Sequence, residues 1–145
     1  MKEALMGYCG LYCGGCRDYQ RTQANNPAVG EDGKPRNCDG CRSERLTEWC
    51  AVCDIKKCNR SKGLNFCSEC TDYPCEMLNG FIHAEDYVYH MEIPEDFAEI
   101  KKTGIEEWYK KKEQSYYCKE CNNLNNWFEQ ECSKCGAKIK NGKNR

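Results

Sequence analysis

The sequence predicts a small metal-stabilised α+β protein in three parts: a cysteine-rich zinc-knuckle domain with short helices over residues 1–83, a helical connector over 84–114, and a C-terminal β zinc ribbon over 115–145. Three observations predict it. Of the 145 residues 15 are cysteine, and those from Cys41 to Cys75 recur with a period of 17. Cys50-x2-Cys53-x4-Cys58 is repeated as Cys67-x2-Cys70-x4-Cys75, and Cys41 precedes Cys50 by the nine residues that separate Cys58 from Cys67. Two thiolates three residues apart can grip one ion on a tight turn, and tetrahedral zinc held by four sulfurs is the commonest use of that arrangement. Towards the other end, Cys118-x2-Cys121-x10-Cys132-x2-Cys135 is a self-contained set of four ligands. Finally, Leu, Ile, Val and Phe together number only 19, below the roughly one-fifth of residues usual for a self-sufficient apolar core. Metal binding would then replace burial, and its free energy, on the order of 10 kcal/mol or more per structural zinc, would be folding free energy.

Taken in order, the first cluster is Cys9-Gly-Leu-Tyr-Cys13-Gly-Gly-Cys16, whose glycines permit the close backbone approach of a sulfur-lined turn. Its spacing is similar to that holding the iron–sulfur cluster of radical enzymes that use S-adenosylmethionine, although the chain lacks the length for their barrel. A helical turn is expected from Arg17 to Gln23, and a loop from Asn25 to Pro35 by its turn residues. Cys38-Asp-Gly-Cys41 forms the next pair, ahead of the duplicated ladder. Ile55 to Leu64 reads as a short helix running into a turn, and Pro74 precedes a helix start at about Glu76. In the connector, Ile93, Phe97, Ile100 and Trp108 recur at helical spacing and predict a packing face. Thr103-Gly-Ile-Glu106 has the form of a capping box opening a second helix, with acids leading and lysines trailing as the helix dipole favours. His83 and His90, the two histidines, are each a candidate to complete a site with three thiols.

The ordered motifs Cys9-Gly-Leu-x-Cys13-x2-Cys16, Cys38-Asp-Gly-Cys41, Cys50-x2-Cys53-Asp-Ile55-Lys-Lys-Cys58 and Cys67-x2-Cys70-x2-Tyr73-Pro74-Cys75-Glu76 resemble the cysteine-rich family of unknown function numbered 3795. That family occurs in bacteria and archaea, and the resemblance covers residues 5 to 83. It implies zinc binding and says almost nothing of activity; Lys56 stands where the family pattern has arginine. The C-terminal segment is similar to the Ran-binding-protein type of zinc finger. An aromatic residue, Tyr116, lies two residues before the first cysteine, and Asn125 follows Cys121 after three residues. That resemblance implies either single-stranded RNA or ubiquitin as a partner. Phe128 occupies the stacking position, but Glu129 stands where an arginine is expected.

Eleven cysteines precede residue 76, enough for two or three ions in residues 1–83, with one more in the ribbon. One partition groups Cys13, Cys16, Cys38 and Cys41 around one ion and Cys50, Cys53, Cys67 and Cys70 around another, leaving Cys9, Cys58 and Cys75 unassigned. A partition mixing the pairs across the repeat is equally allowed. Met1 to Cys9 lacks the apolar run of a signal peptide and no stretch approaches a membrane span, so a reducing, cytoplasmic setting with thiolate ligands is expected. Closed four-thiolate sites leave no position for substrate, and no nucleophile–base pair, carboxylate dyad or phosphate loop stands out. The expectation is therefore a non-enzymatic structural zinc protein acting as an interaction or adaptor module, its partner most simply another protein. The first alternative is single-stranded nucleic-acid binding through Tyr116, Tyr117, Trp127 and Phe128 beside Lys134, Lys138, Lys140, Lys143 and Arg145. Against it, 22 basic and 23 acidic residues nearly cancel. The second is an iron–sulfur or redox role for the Cys9–Cys16 cluster.

Overall fold

A computed structural model describes residues 5–139. Lys140, Lys143 and Arg145 of the basic tail, like Met1 to Ala4, lie outside the described residues. After a tight turn at Cys13–Gly15, helix α1 spans Arg17–Gln23, and strands β1 (Ala28–Val29) and β2 (Pro35–Arg36) pair antiparallel with Ala28 opposite Arg36. The segment read as a loop thus folds back on itself as a minimal hairpin. Helices α2 (Glu48–Ala51), α3 (Asp54–Lys62) and α4 (Glu76–Ile82) follow, the last two separated by a turn at Cys67–Glu69. A turn at Val88–Glu92 leads into α5 (Ile93–Thr103) and α6 (Ile105–Ser115), which pack against each other.

The second helix of this pair is entered differently from the sequence expectation. Thr103 is still inside α5, where its hydroxyl donates back to the Glu99 carbonyl (2.9 Å), so it cannot cap α6, and Gly104 stands at the capping position without a side-chain bond. The packing face is as read: Ile93, Phe97 and Trp108 are buried and Ile100 is half-buried.

An apolar core exists despite the aliphatic shortage. Met6, Tyr12, Ile55, Cys67, Leu78, Ile82, Ile93, Phe97, Trp108 and Tyr116 form one buried cluster. Aromatic rings explain the discrepancy, because each buries on the order of 150–250 Å² and the chain carries nine Tyr and three Trp that a count of Leu, Ile, Val and Phe leaves partly out. The cluster draws on all three segments of the chain, with Trp127 packed at its edge.

Inside this core lies a charged knot. Lys112 Nζ contacts Glu92 Oε2 at 2.6 Å and Asp96 Oδ2 at 2.7 Å, all three side chains being buried, and Trp108 Nε1 donates to Asp96 Oδ1 at 3.1 Å. The α5–α6 pair is thereby cross-braced through its polar atoms as well as its apolar face.

The C-terminal segment docks on the first cysteine turn. Trp127 N donates to the Gly15 carbonyl (2.9 Å), and Gln20 Nε2 donates to the carbonyls of Gly14 (2.9 Å) and Asn125 (2.8 Å). Tyr116 stacks on Tyr12, and Trp127 lies nearly parallel to Tyr89 with ring centroids 4.7 Å apart. A Cβ on Gly15 would meet Trp127 Cδ1 and Tyr116 Cζ at 2.6 Å, closer than real contacts allow. Gly15→Ala is therefore expected to destabilise the protein by about 1–3 kcal/mol through overpacking and to change the Trp127 environment. Denaturant melts followed by tryptophan fluorescence check this; an unchanged melt would mean that the docking does not contribute to the folded state.

Candidate metal centre

Two backbone hairpins of the same design build the C-terminal site. In the first, Cys118 N donates to Asn123 O and Asn122 N to Cys118 O; in the second, Cys132 N donates to Ala137 O and Gly136 N to Cys132 O, all at 2.7–2.9 Å. The residue after each second cysteine takes positive φ, +63° at Asn122 and +79° at Gly136, the residue types that enter this region most readily. Each hairpin then turns its two sulfurs to one side. The expected β ribbon is reduced to these turns and two single bridges, Tyr117 with Leu124 and Glu131 with Lys138, since the hairpin bonds consume the backbone groups that longer strands would pair.

The four sulfurs of Cys118, Cys121, Cys132 and Cys135 lie within 4.8 Å of one another. Sγ of Cys118 is 3.5 Å from that of Cys135, and Sγ of Cys121 is 3.5 Å from that of Cys132. A tetrahedral four-thiolate ion with metal–sulfur bonds near 2.3 Å needs separations of about 3.8 Å, so the donor set fits a metal ion. The backbone N–H of Cys135, joined by that of Lys134 and the Asn125 side chain, pulls the Cys132 thiol down to about 6. Asn125 is fully buried and locks the two hairpins together: its Oδ1 accepts from Ser133 N (3.1 Å) and Asn123 Nδ2 (3.3 Å), while its own N–H donates to Tyr116 O (2.8 Å).

The aromatic residues flanking this site are mostly turned inward. Tyr116 is buried and Trp127 stacks on Tyr89, whereas Phe128 is half-exposed with the Arg17 guanidinium carbon 5.0 Å above its ring. Glu129, in the expected arginine position, accepts from Asn126 N at 2.8 Å.

In the first part of the chain, three helices begin directly after a cysteine: Cys16 caps α1, Cys53 caps α3 and Cys75 caps α4. Burial pushes the thiols of Cys9, Cys13, Cys41, Cys50 and Cys67 up, and that of Cys16 up to about 11. Without a cation these sulfurs stay protonated. Yet hydrogen-bond donors are aimed at several of them: Cys41 N at Cys13 Sγ (3.4 Å), Asn59 Nδ2 at Cys67 Sγ (3.1 Å), Lys62 Nζ at Cys70 Sγ (3.4 Å) and Leu78 N at Cys75 Sγ (3.5 Å). Lys56 is buried, donates to the Cys41 carbonyl (3.1 Å) and has no carboxylate partner among the described residues; the thiols of Cys41 and Cys50 lie near it. An unpaired buried ammonium is costly, so this surrounding suits sulfurs that carry negative charge.

The structure also groups the thiols. Cys50 neighbours Cys38 and Cys41, Cys9 neighbours Cys41, Cys53 and Cys67, and Cys67 neighbours Cys75, Cys58 and Cys70. Cys58 and Cys75, unassigned by spacing, thus stand with Cys67 and Cys70, and Cys50 stands apart from them. Among the described residues the C-terminal quartet is the one group of three or more Cys, His, Asp or Glu whose ligand atoms all lie within 4.8 Å. His83 is exposed, while His90 is buried between Phe81 and Tyr87 with Nδ1 bonded to the Phe81 carbonyl (2.7 Å); neither joins such a group. All fifteen cysteines are free thiols, and no helix among the described residues is long and apolar enough to cross a membrane.

Sequence reasoning had no access to Asn59 or Lys62 as sulfur donors, since neither residue type signals that role. It noted Lys56 only as a departure from a pattern, whereas burial next to thiols gives it meaning. No curated protein and no solved structure matches the chain. One family model does, over residues 5–80, just over half of the 145 residues, so the match ends within α4 and before the C-terminal quartet. On that match the chain belongs to the family described as protein of unknown function (DUF3795).

Proposed function

We propose that this is a non-enzymatic, zinc-dependent structural protein whose metal–thiolate centres hold a folded surface for a protein partner. The observation that carries the reading is the C-terminal quartet: four sulfurs on two matched hairpins, close enough to surround one ion and leave it no open position for water or substrate. The free state of all fifteen cysteines supports a reducing, cytoplasmic setting, in which zinc-bound thiolates persist. The inward turn of Tyr116 and Trp127 favours a protein partner over single-stranded nucleic acid, because it leaves fewer ring faces to receive bases.

Metal analysis of protein grown without added metal is the test, followed by mass spectrometry of whatever co-purifies. The expected result is a colourless preparation with at least one zinc per chain and a co-purifying protein. A brown preparation handled without oxygen would replace zinc by an iron–sulfur cluster, and recovery of RNA in place of protein would overturn the partner class.

A further inference from the structure

We propose that Cys58, Cys67, Cys70 and Cys75 together hold a second thiophilic divalent ion of the zinc class, with Asn59 and Lys62 donating to its sulfurs. The inference rests on the reading of the chain as a metal–thiolate protein, but not on the C-terminal quartet.

The geometry begins with α3. Asn59 and Lys62 are neighbours on one helix face, and Cys58 lies one turn before Lys62 on that face. Asn59 is buried, with Nδ2 on Cys67 Sγ (3.1 Å) and on the Ile55 carbonyl (2.9 Å). Lys62 Nζ reaches Cys70 Sγ (3.4 Å). Both contacts land on the Cys67–Cys70 turn, so the face of α3 that carries Cys58 is applied to that turn. The turn itself is pinned: Cys67 N donates to Tyr8 O (2.9 Å), Cys70 N to Cys67 O (3.1 Å), and Glu69 Oε1 accepts from Asn65 N (2.9 Å). Cys75 completes the proposed set from the cap of α4, with its sulfur accepting from Leu78 N (3.5 Å).

Three of the four sulfurs therefore each receive a donor. An N–H pointed at a neutral thiol gains little, whereas one pointed at a thiolate makes a charge-assisted bond. Four thiolates around a divalent ion leave an excess of negative charge, and the Lys62 ammonium lies where it offsets that excess. Cys75, Cys58 and Cys70 are the thiols that lie around Cys67. An ion would draw the four sulfurs inside the separation that the C-terminal quartet already has. Cys53 is excluded because it caps the opposite end of α3, and Cys50 because it lies with Cys38 and Cys41.

The full-length protein, loaded with NMR-active cadmium, tests this by proton–cadmium correlation, which assigns each metal to the cysteine Cβ protons bound to it. One cadmium is expected to correlate with Cys58, Cys67, Cys70 and Cys75. Cys58→Ser should remove or shift that signal and leave the C-terminal one in place. A cadmium shared by Cys67 and Cys70 with Cys50 or Cys53 overturns the assignment, as does the absence of any cadmium on these four cysteines. Lys62→Met, at an exposed position that does not endanger folding, should lower the affinity of this site about tenfold in chelator competition; unchanged affinity removes Lys62 from the site. Loss of the C-terminal signal alone would instead count against the function proposed above and leave this assignment standing.

Discussion

Cys132→Ser is expected to empty the C-terminal centre and unravel the segment built on it. A serine hydroxyl is not ionised at neutral pH, whereas the Cys132 thiol is already held low by the N–H groups of Cys135 and Lys134 and by Asn125. Besides their sulfurs, the two hairpins are joined by the Asn125 bonds and by Asn123 Nδ2 donating to Ser133 Oγ (3.1 Å), so a bound ion would supply much of what holds their mutual arrangement. The free energy at stake is on the order of 10 kcal/mol, the apparent binding energy of a structural zinc in a small peptide. In native mass spectrometry the variant should carry one metal fewer per chain, and its tryptophan fluorescence should shift as Trp127 leaves Tyr89, 4.7 Å away in the folded protein. Full metal content in the variant would show that these four sulfurs are not a shared site.

Lys112→Met should cost about 3–5 kcal/mol, because it strands two buried carboxylates without their cation. Methionine matches the stem in size, so little apolar packing is lost and the deficit reports the charge. Burial raises the Asp96 carboxyl above its ordinary 3.8, while Lys112 and Trp108 oppose that rise. The folded state consequently keeps this proton to higher pH than the unfolded chain does. Asp96 thus favours folding below 3.8 and costs stability as pH climbs from there to its folded value. Without Lys112 the window extends upward, so the gap between variant and wild type should be widest near neutrality and narrow in acid. Urea melts of both proteins at matched pH check this; a gap that does not change with pH would assign the loss to packing.

Much of the outline was legible because it rests on local rules. Helix α1 from Arg17, helix α3 into its turn, the α4 start after Pro74 and the buried stripe of Ile93, Phe97 and Trp108 all follow from spacing, turn residues and capping within a few positions. So does the C-terminal quartet, whose two hairpins are each written in six consecutive residues. What was not legible depends on distant parts meeting. The neighbours of Cys67 are decided by how the α3 face seats on the 67–70 turn, which the period of 17 does not encode, since Cys53 caps α3 in the first copy while Cys75 caps α4 in the second. The core was underestimated for a similar reason. Tyr12 and Tyr116 look amphipathic in isolation and become core because they stack on each other, with Trp108 and Tyr109 set edge-on to Tyr12. Thr103 shows the limit of a motif: its hydroxyl bonds within α5 before α6 can use it.

The seating of Trp127 over Gly15 has an evolutionary corollary. A module that merely hangs from a host by a tether can be gained, lost or exchanged between lineages without retuning the host. Here the side-chain-free surface of Gly15 is shaped to an indole and a phenol supplied from more than a hundred residues downstream. Homologues that lack the C-terminal portion should therefore fill this hollow with a larger residue at position 15, and those that retain it should keep that position bare.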